Sequence, residues 1–346
     1  MSTMTNTGST GNTGSASSGS APDSARTGAG RGRGLRLSGV NWLVWRQHRA
    51  AYWTILAAAA ITLAVIVYER QQMMTYLEGY GYPHLKDGWE DKFDRRMFDV
   101  VSQVLGVVPI LIGVFLGAPL LAGDLESGTA KLVNAQSTSR VRWLATKLGV
   151  TVLVVTVCTA ALSAAFTWWW SPIKSSSYIS FWTDASVFDG TGPVPTALTL
   201  LTVVGGVAIG MLVRRTLMAM VVTLGFAVVV QVVWSHFRLS LGDVLVKTSH
   251  NGVGDGTFPA LPDSAVNLDQ SYLTASGDLI GYGSCNEATE KAAAACLDKA
   301  HVVGWSVDYL PISQMSAMQW FGASILLALT AAISAFVILW GRKRLV

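Results

Sequence analysis

Six runs of 19 to 23 residues, each free of Asp, Glu, Lys, Arg and His, punctuate the chain between residues 50 and 340. They occupy 50–68, 100–122, 148–170, 194–213, 216–234 and 318–340. A helix of about 20 apolar residues crosses the roughly 30 Å of bilayer hydrocarbon. Only structures that satisfy their own backbone groups are stable there. The runs therefore predict an all-α polytopic membrane protein with six transmembrane helices. Charged residues make up 13% of the chain, against about 25% in a soluble domain. Pro109 and Pro119 lie inside the second run and predict kinks that membrane helices tolerate. Arg214 and Arg215 alone separate the fourth run from the fifth. One helix through both would be about 60 Å long, too long for one crossing, so a tight charged turn is expected.

Charge placement orients these spans. With the N-terminus inside, the inner segments hold 15 of the 25 Lys and Arg residues, although the outer loops are much longer. The positive-inside rule then predicts N-in and C-in topology. Trp168, Trp169, Trp170 and Trp234 would form an outer aromatic belt, and Trp143 and Trp340 an inner one. Residues 1–34 are rich in Ser, Thr and Gly and read as a disordered cytoplasmic tail. They contain no apolar core of the kind a signal peptide needs. Residues 35–49 mix Trp42, Trp45, Arg46 and Arg49 and read as an amphipathic helix lying in the membrane interface, or as a simple basic anchor. The largest outer loop, 235–317, precedes the last span and is acidic. Its Cys285 and Cys296 flank a helix-like stretch. They are a disulfide candidate in an oxidising exterior, the alternative being two free thiols.

Catalytic and nucleic-acid signatures are missing. No phosphate loop of the form GxxxxGK[ST], no HExxH and no Cys-x-x-Cys occurs, so the chain is expected neither to hydrolyse ATP nor to bind a cofactor or metal. No basic helix with interleaved aromatics supports nucleic-acid binding. The six runs lack the buried ionisable groups that proton- or ion-coupled transporters and intramembrane proteases use. They do carry Gln103 and Gln231, which would either line a cavity or bond to a neighbouring helix. A pump built this way takes its energy from outside the chain. The one long polar segment between two inner ends is 123–147, GDLESGTAKLVNAQSTSRVRWLATK. Its acids Asp124 and Glu126 precede helix-forming residues, and Ser137 to Ser139 offer a cap for a helix starting at Arg140. Composition alone reads it equally as a coupling element or as a loop whose cations set topology.

The pattern Glu126-Ser127-Gly128-Thr129, then Lys131-Leu132-Val133, then Ser137-Thr138-Ser139-Arg140 and Lys147 resembles the segment after the second span of ABC-2 type transporter permeases. Trp45-Arg46-Gln47-His48-Arg49 resembles the connecting helix of that family. Two departures are visible: the glutamate is closer to Gly-Thr than in many relatives, and Ser-Thr-Ser-Arg replaces Pro-Val-Ser-Arg. The resemblance implies a half-transporter in the cell membrane that pairs with a second copy or a homologue. Two copies of a separate ATPase, which bind the ATP and Mg, would dock on 123–147. Asp124, Glu126, Gly128, Thr129 and Arg140 would form the coupling element, with Trp45, Arg46 and Arg49 in the connecting helix. The second and fifth spans would line the path, with Gln103 and Gln231 as cavity candidates. With apolar walls, the expected cargo is a hydrophobic or amphipathic compound, exported. The alternative function is a non-transporting anchor or sensor whose acidic outer loop binds a partner.

Overall fold

The computed structural model describes residues 40–86, 88–128, 140–176, 179–254 and 256–344, without the side chains of 40–44, Arg140 and Arg344. The predicted tail 1–34, Thr129 and the capping residues 137–139 lie outside these residues.

Six helices are long and apolar enough to cross a membrane, spanning Trp45–Gly79, Arg96–Glu126, Val141–Ile173, Val194–Val213, Thr216–Leu241 and Ile312–Lys343. All but the fourth reach past the charge-free runs. The first is part of α1 (Val40–Gly79), in which no Gly or Pro occurs before Gly79. The expected connecting helix 35–49, where described, runs into the first span without a break. The second span is α2 (Arg96–Ile112), a wide π-helical turn at Gly113–Gly117, and α3 (Ala118–Glu126). The third is α4 (Arg140–Trp170). A short α5 (Ala185–Phe188) precedes α6 (Val194–Val213), α7 (Thr216–Phe237) and, after the outer segment, α9 (Met315–Arg344).

Helix α6 is the axle of the bundle, buried along most of its length. Small residues let α2 and α3 approach it closely, the usual way membrane helices gain packing where no hydrophobic effect drives them together. A Cβ on Gly117 would lie 2.5 Å from the Val203 carbonyl oxygen, and one on Gly206 would lie 2.8 Å from the Gly113 carbonyl oxygen. Thr202 donates to the Pro109 carbonyl at 2.6 Å, just before the wide turn. Arg214 takes the left-handed conformation, with φ 59°. It closes α6, and α7 starts two residues later.

The all-α expectation is corrected by the segment between α7 and α9. It folds as an antiparallel sheet of β1 (Leu245–Ser249), β2 (Val266–Thr274), β3 (Leu279–Gly281) and β4 (Val302–Leu310), in the order β1-β4-β2-β3. Trp305 and Val307 of β4 alternate with Ser306 and Asp308, and Tyr272 of β2 faces Trp305 across the ladder. These three apolar residues form the sheet's own core. Aromatic and β-branched residues at period two favour strands, and the acids of the surrounding loops hid the alternation. Helix α8 (Glu290–Lys299) is capped by Thr289, whose hydroxyl accepts from the Ala292 N–H. A disulfide joins Cys285 to Cys296 and so ties α8 to the segment after β3. The sheet rests on the 171–193 connection, where the Trp182 indole donates to the Ser264 carbonyl at 2.9 Å.

Candidate functional site

At the end of the bundle opposite the sheet, the last turn of α3 ties three other helices together. Asp124 is 5% exposed and pairs with Lys147 of α4, which is fully buried. Lys147 also donates to the Leu120 carbonyl at 3.3 Å, and its ammonium stands 5.0 Å from the centre of the Trp143 ring. The other oxygen of Asp124 accepts from the Gln47 amide of α1 at 2.6 Å. One turn further along, Tyr52 of α1 and Thr151 of α4 share a buried hydrogen bond of 2.8 Å, and Trp45 stacks on Tyr52 at 5.3 Å. Leu121, Leu144, Met211 and Val337 pack around this end. A buried ion pair of this kind needs hydrogen bonds to its remaining lone pairs and protons to offset the lost hydration, and Leu120 and Gln47 supply them.

Two residues on, Glu126 reaches the fourth helix. Its exposed carboxylate accepts from the Thr216 backbone N–H at 2.8 Å. Arg215, the N-cap of α7, makes no side-chain capping bond of its own. The positive end of the α7 dipole favours a carboxylate there, so Glu126 acts as a cap delivered from a distant part of the chain. Asp124 and Glu126 together join α3 to α1, α4 and α7. Both lie at the start of the polar segment 123–147 that the sequence singles out.

Three of the five expected coupling residues, Asp124, Glu126 and Gly128, fall among the described residues with their side chains. Gly128 has a positive φ of 71°, and a Cβ there would meet nothing within 4 Å. Thr129 lies outside the described residues, and Arg140 is described only as the first residue of α4. Asp124 is not exposed at the inner surface but enclosed by α1 and α4 in its pair with Lys147. Trp45 lies against the Tyr52 side of α1, whereas Arg46 and Arg49 face outward. The two glutamines do not converge on one cavity. Gln231 donates to the Gly106 carbonyl at 2.9 Å and bonds α7 to α2, while Gln103 stays exposed on the outer face of α2.

Lys147 reads in the sequence as an inner cation and as part of the segment that resembles the family, not as a residue of the site. Its signal was helical spacing. Trp143, Leu144, Lys147, Leu148 and Thr151 recur at steps of three and four, and all are buried, so the lysine lies on the stripe that faces the core. A second polar cluster sits at the sheet end. Asp189 pairs with Arg238 at 3.2 Å and accepts from the Trp234 indole at 2.7 Å. Burial pushes the Asp189 carboxyl up from the ordinary carboxylate range, opposed by the Arg238 guanidinium and the indole N–H.

No curated protein and no solved structure matches the chain significantly. A family model described as ABC-2 membrane transporter related matches residues 55–238. That stretch covers more than half of the 346 residues. It contains α2, α3 and the Asp124–Lys147 pair but not Gln47 or Tyr52, and it ends just before the sheet segment. The chain is thus a multi-pass membrane protein that belongs to the ABC-2 membrane transporter related family.

Proposed function

We propose that this chain is the permease subunit of an ATP-driven transporter in the cell membrane, and that it exports a hydrophobic or amphipathic compound. It pairs with a second copy or a homologue. Two copies of a separate ATPase hydrolyse the ATP and contain the Mg, since the chain has no phosphate loop of its own. One observation carries this reading. Asp124 and Glu126, at the start of the polar segment, tie α3 to α1, α4 and α7. A displacement applied there by a docked ATPase moves four of the bundle's helices together, as alternating access requires. The inner end takes the ATPase if the N-terminus is inside, as the charge distribution argues. The apolar cargo is supported by a groove of about 500 Å³ between α1, α2 and α4. It is lined by apolar side chains, Cys158 and three threonines.

Glu126→Ala removes the cap on α7 without touching the buried pair. It is expected to reduce transport about tenfold, within the range of coupling energies of about 1–3 kcal/mol, while ATP hydrolysis by the assembled complex persists. Efflux measured beside ATPase activity in reconstituted vesicles separates the two. Wild-type transport in Glu126→Ala would remove the lever from the mechanism. Absence of any transport by the wild-type complex would favour the anchor whose outer domain binds a partner.

A further inference from the structure

At the end of the bundle that carries the sheet, α4, α6 and α9 part to leave a groove of about 1100 Å³. Its polarity is graded. Ala160, Ala164 and Leu327 line one part, and Trp168, Trp320 and Lys174 lie toward the connection to the sheet. From Ala160 to Ser171 the lining follows α4 for about 16 Å at 1.5 Å per residue, close to the half-thickness of a bilayer core of roughly 30 Å. Tryptophan rings at such a level mark the membrane–water interface. Arg70 of α1 stacks on Trp168 at 3.7 Å and donates to its carbonyl at 3.1 Å. Arg70 thereby brings a second cation to a ring that lines the groove, and none of the lining residues is acidic.

One further feature indicates what fills the groove. Trp170 lines it, is 6% exposed, and has an indole N–H with no acceptor among the described residues. Buried donors are almost always satisfied, and an orphan one calls for an acceptor from elsewhere. We propose that the groove holds one phospholipid with an anionic head group, taken from the leaflet on the sheet side. An acyl chain lies along Ala160, Ala164 and Leu327. An ester oxygen accepts from Trp170, and the phosphate sits near Lys174 and Arg70. A plain hydrocarbon would leave the Trp170 N–H unmet, and a free phosphate would leave the apolar part empty. This site is separate from the groove between α1, α2 and α4, and it does not depend on the transport reading.

The test is native mass spectrometry of the purified full chain, released from nanodiscs containing equal phosphatidylglycerol and phosphatidylcholine. The wild type is expected to retain one phosphatidylglycerol per chain in preference to phosphatidylcholine. Lys174→Glu is expected to cut that preference more than about fivefold, since it removes one lysine near an anionic surface and adds a repelling charge. Trp170→Phe keeps the ring and removes the donor, and is expected to weaken retention of both lipids. Ala164→Trp fills the groove and is expected to abolish retention. Should Ala164→Trp fail to fold, Lys174→Glu and Trp170→Phe still decide the matter. Equal retention of the two lipids by the wild type would overturn the proposal, as would unchanged retention in Lys174→Glu and Trp170→Phe. Disulfide-linked dimers of Ala164→Cys would also overturn it, by giving the groove to a second copy.

Discussion

Lys147→Ala is expected to lower the stability of the purified protein by about 3–5 kcal/mol, the cost of leaving a buried charge without its partner. Lys147 is fully enclosed, so water cannot replace it at the Asp124 carboxylate. The substitution also strips the Leu120 carbonyl of its extra donor and leaves a gap beneath Trp143. Gln47 still donates to that carboxylate, but a neutral amide does not replace the charge of the ammonium. Asp124→Ala should cost a similar amount, by stranding the ammonium. The pair Asp124→Leu with Lys147→Met should recover most of the loss, because apolar side chains of similar volume often replace a buried ion pair without penalty. Detergent-titrated unfolding of the four proteins measures this directly. Lys147→Ala unfolding together with the wild type would show that the lysine is solvated. The double replacement is expected to fold and still transport poorly if the pair serves force transmission as well as stability.

Gly117→Leu should be the most damaging single glycine replacement in the second span. The new Cβ would meet the Val203 carbonyl oxygen at 2.5 Å and the Val203 Cα at 3.0 Å. Both are backbone atoms of the buried helix α6, so no side-chain rotation relieves the clash. Overpacking costs about 1–3 kcal/mol where side chains can shift, and more where they cannot. Gly106 is the control. It lies in the same span, and a Cβ there meets nothing within 4 Å. Gly106→Leu is expected to leave the yield of monodisperse protein in size-exclusion chromatography unchanged, whereas Gly117→Leu should abolish the monodisperse peak. Equal behaviour of the two variants would mean that α2, α3 and α6 are not in close contact.

The crossing helices were legible because a run of about 20 residues without charge has few other stable settings. The turn at Arg214 was legible for the same reason, since two cations interrupt an otherwise overlong run. Helix ends were not. Arg46, Asp124 and Lys147 look like solvent-facing groups in a hydropathy reading, yet α1, α3 and α4 continue through them. What decides their place is partnership: Asp124 and Lys147 are 23 residues apart in the chain, and no local pattern announces that they meet. Only the three-and-four spacing of Lys147 with Leu144, Leu148 and Thr151 pointed inward. The sheet went unread for another reason. Its ladder pairs β2 with β4 across 28 to 44 residues, and the acids that marked the segment as a loop lie mostly outside the strands, where they mask the apolar alternation within them. The Cys285–Cys296 pair was within reach of inspection because it closes a short local stretch.

The central claim is that the end of the bundle bearing Asp124 and Glu126 receives its force from a separate ATPase. Ser127 is the most direct place to test it, being exposed and next to both residues. A photocrosslinking residue at Ser127, and another at Ser276 in the sheet segment, would be activated in living cells. The captured proteins would then be identified by mass spectrometry. The account predicts that Ser127 captures a protein with a GxxxxGK[ST] phosphate loop and that Ser276 does not. Capture of that ATPase from Ser276 and not from Ser127, in cells whose transport is intact, would contradict it.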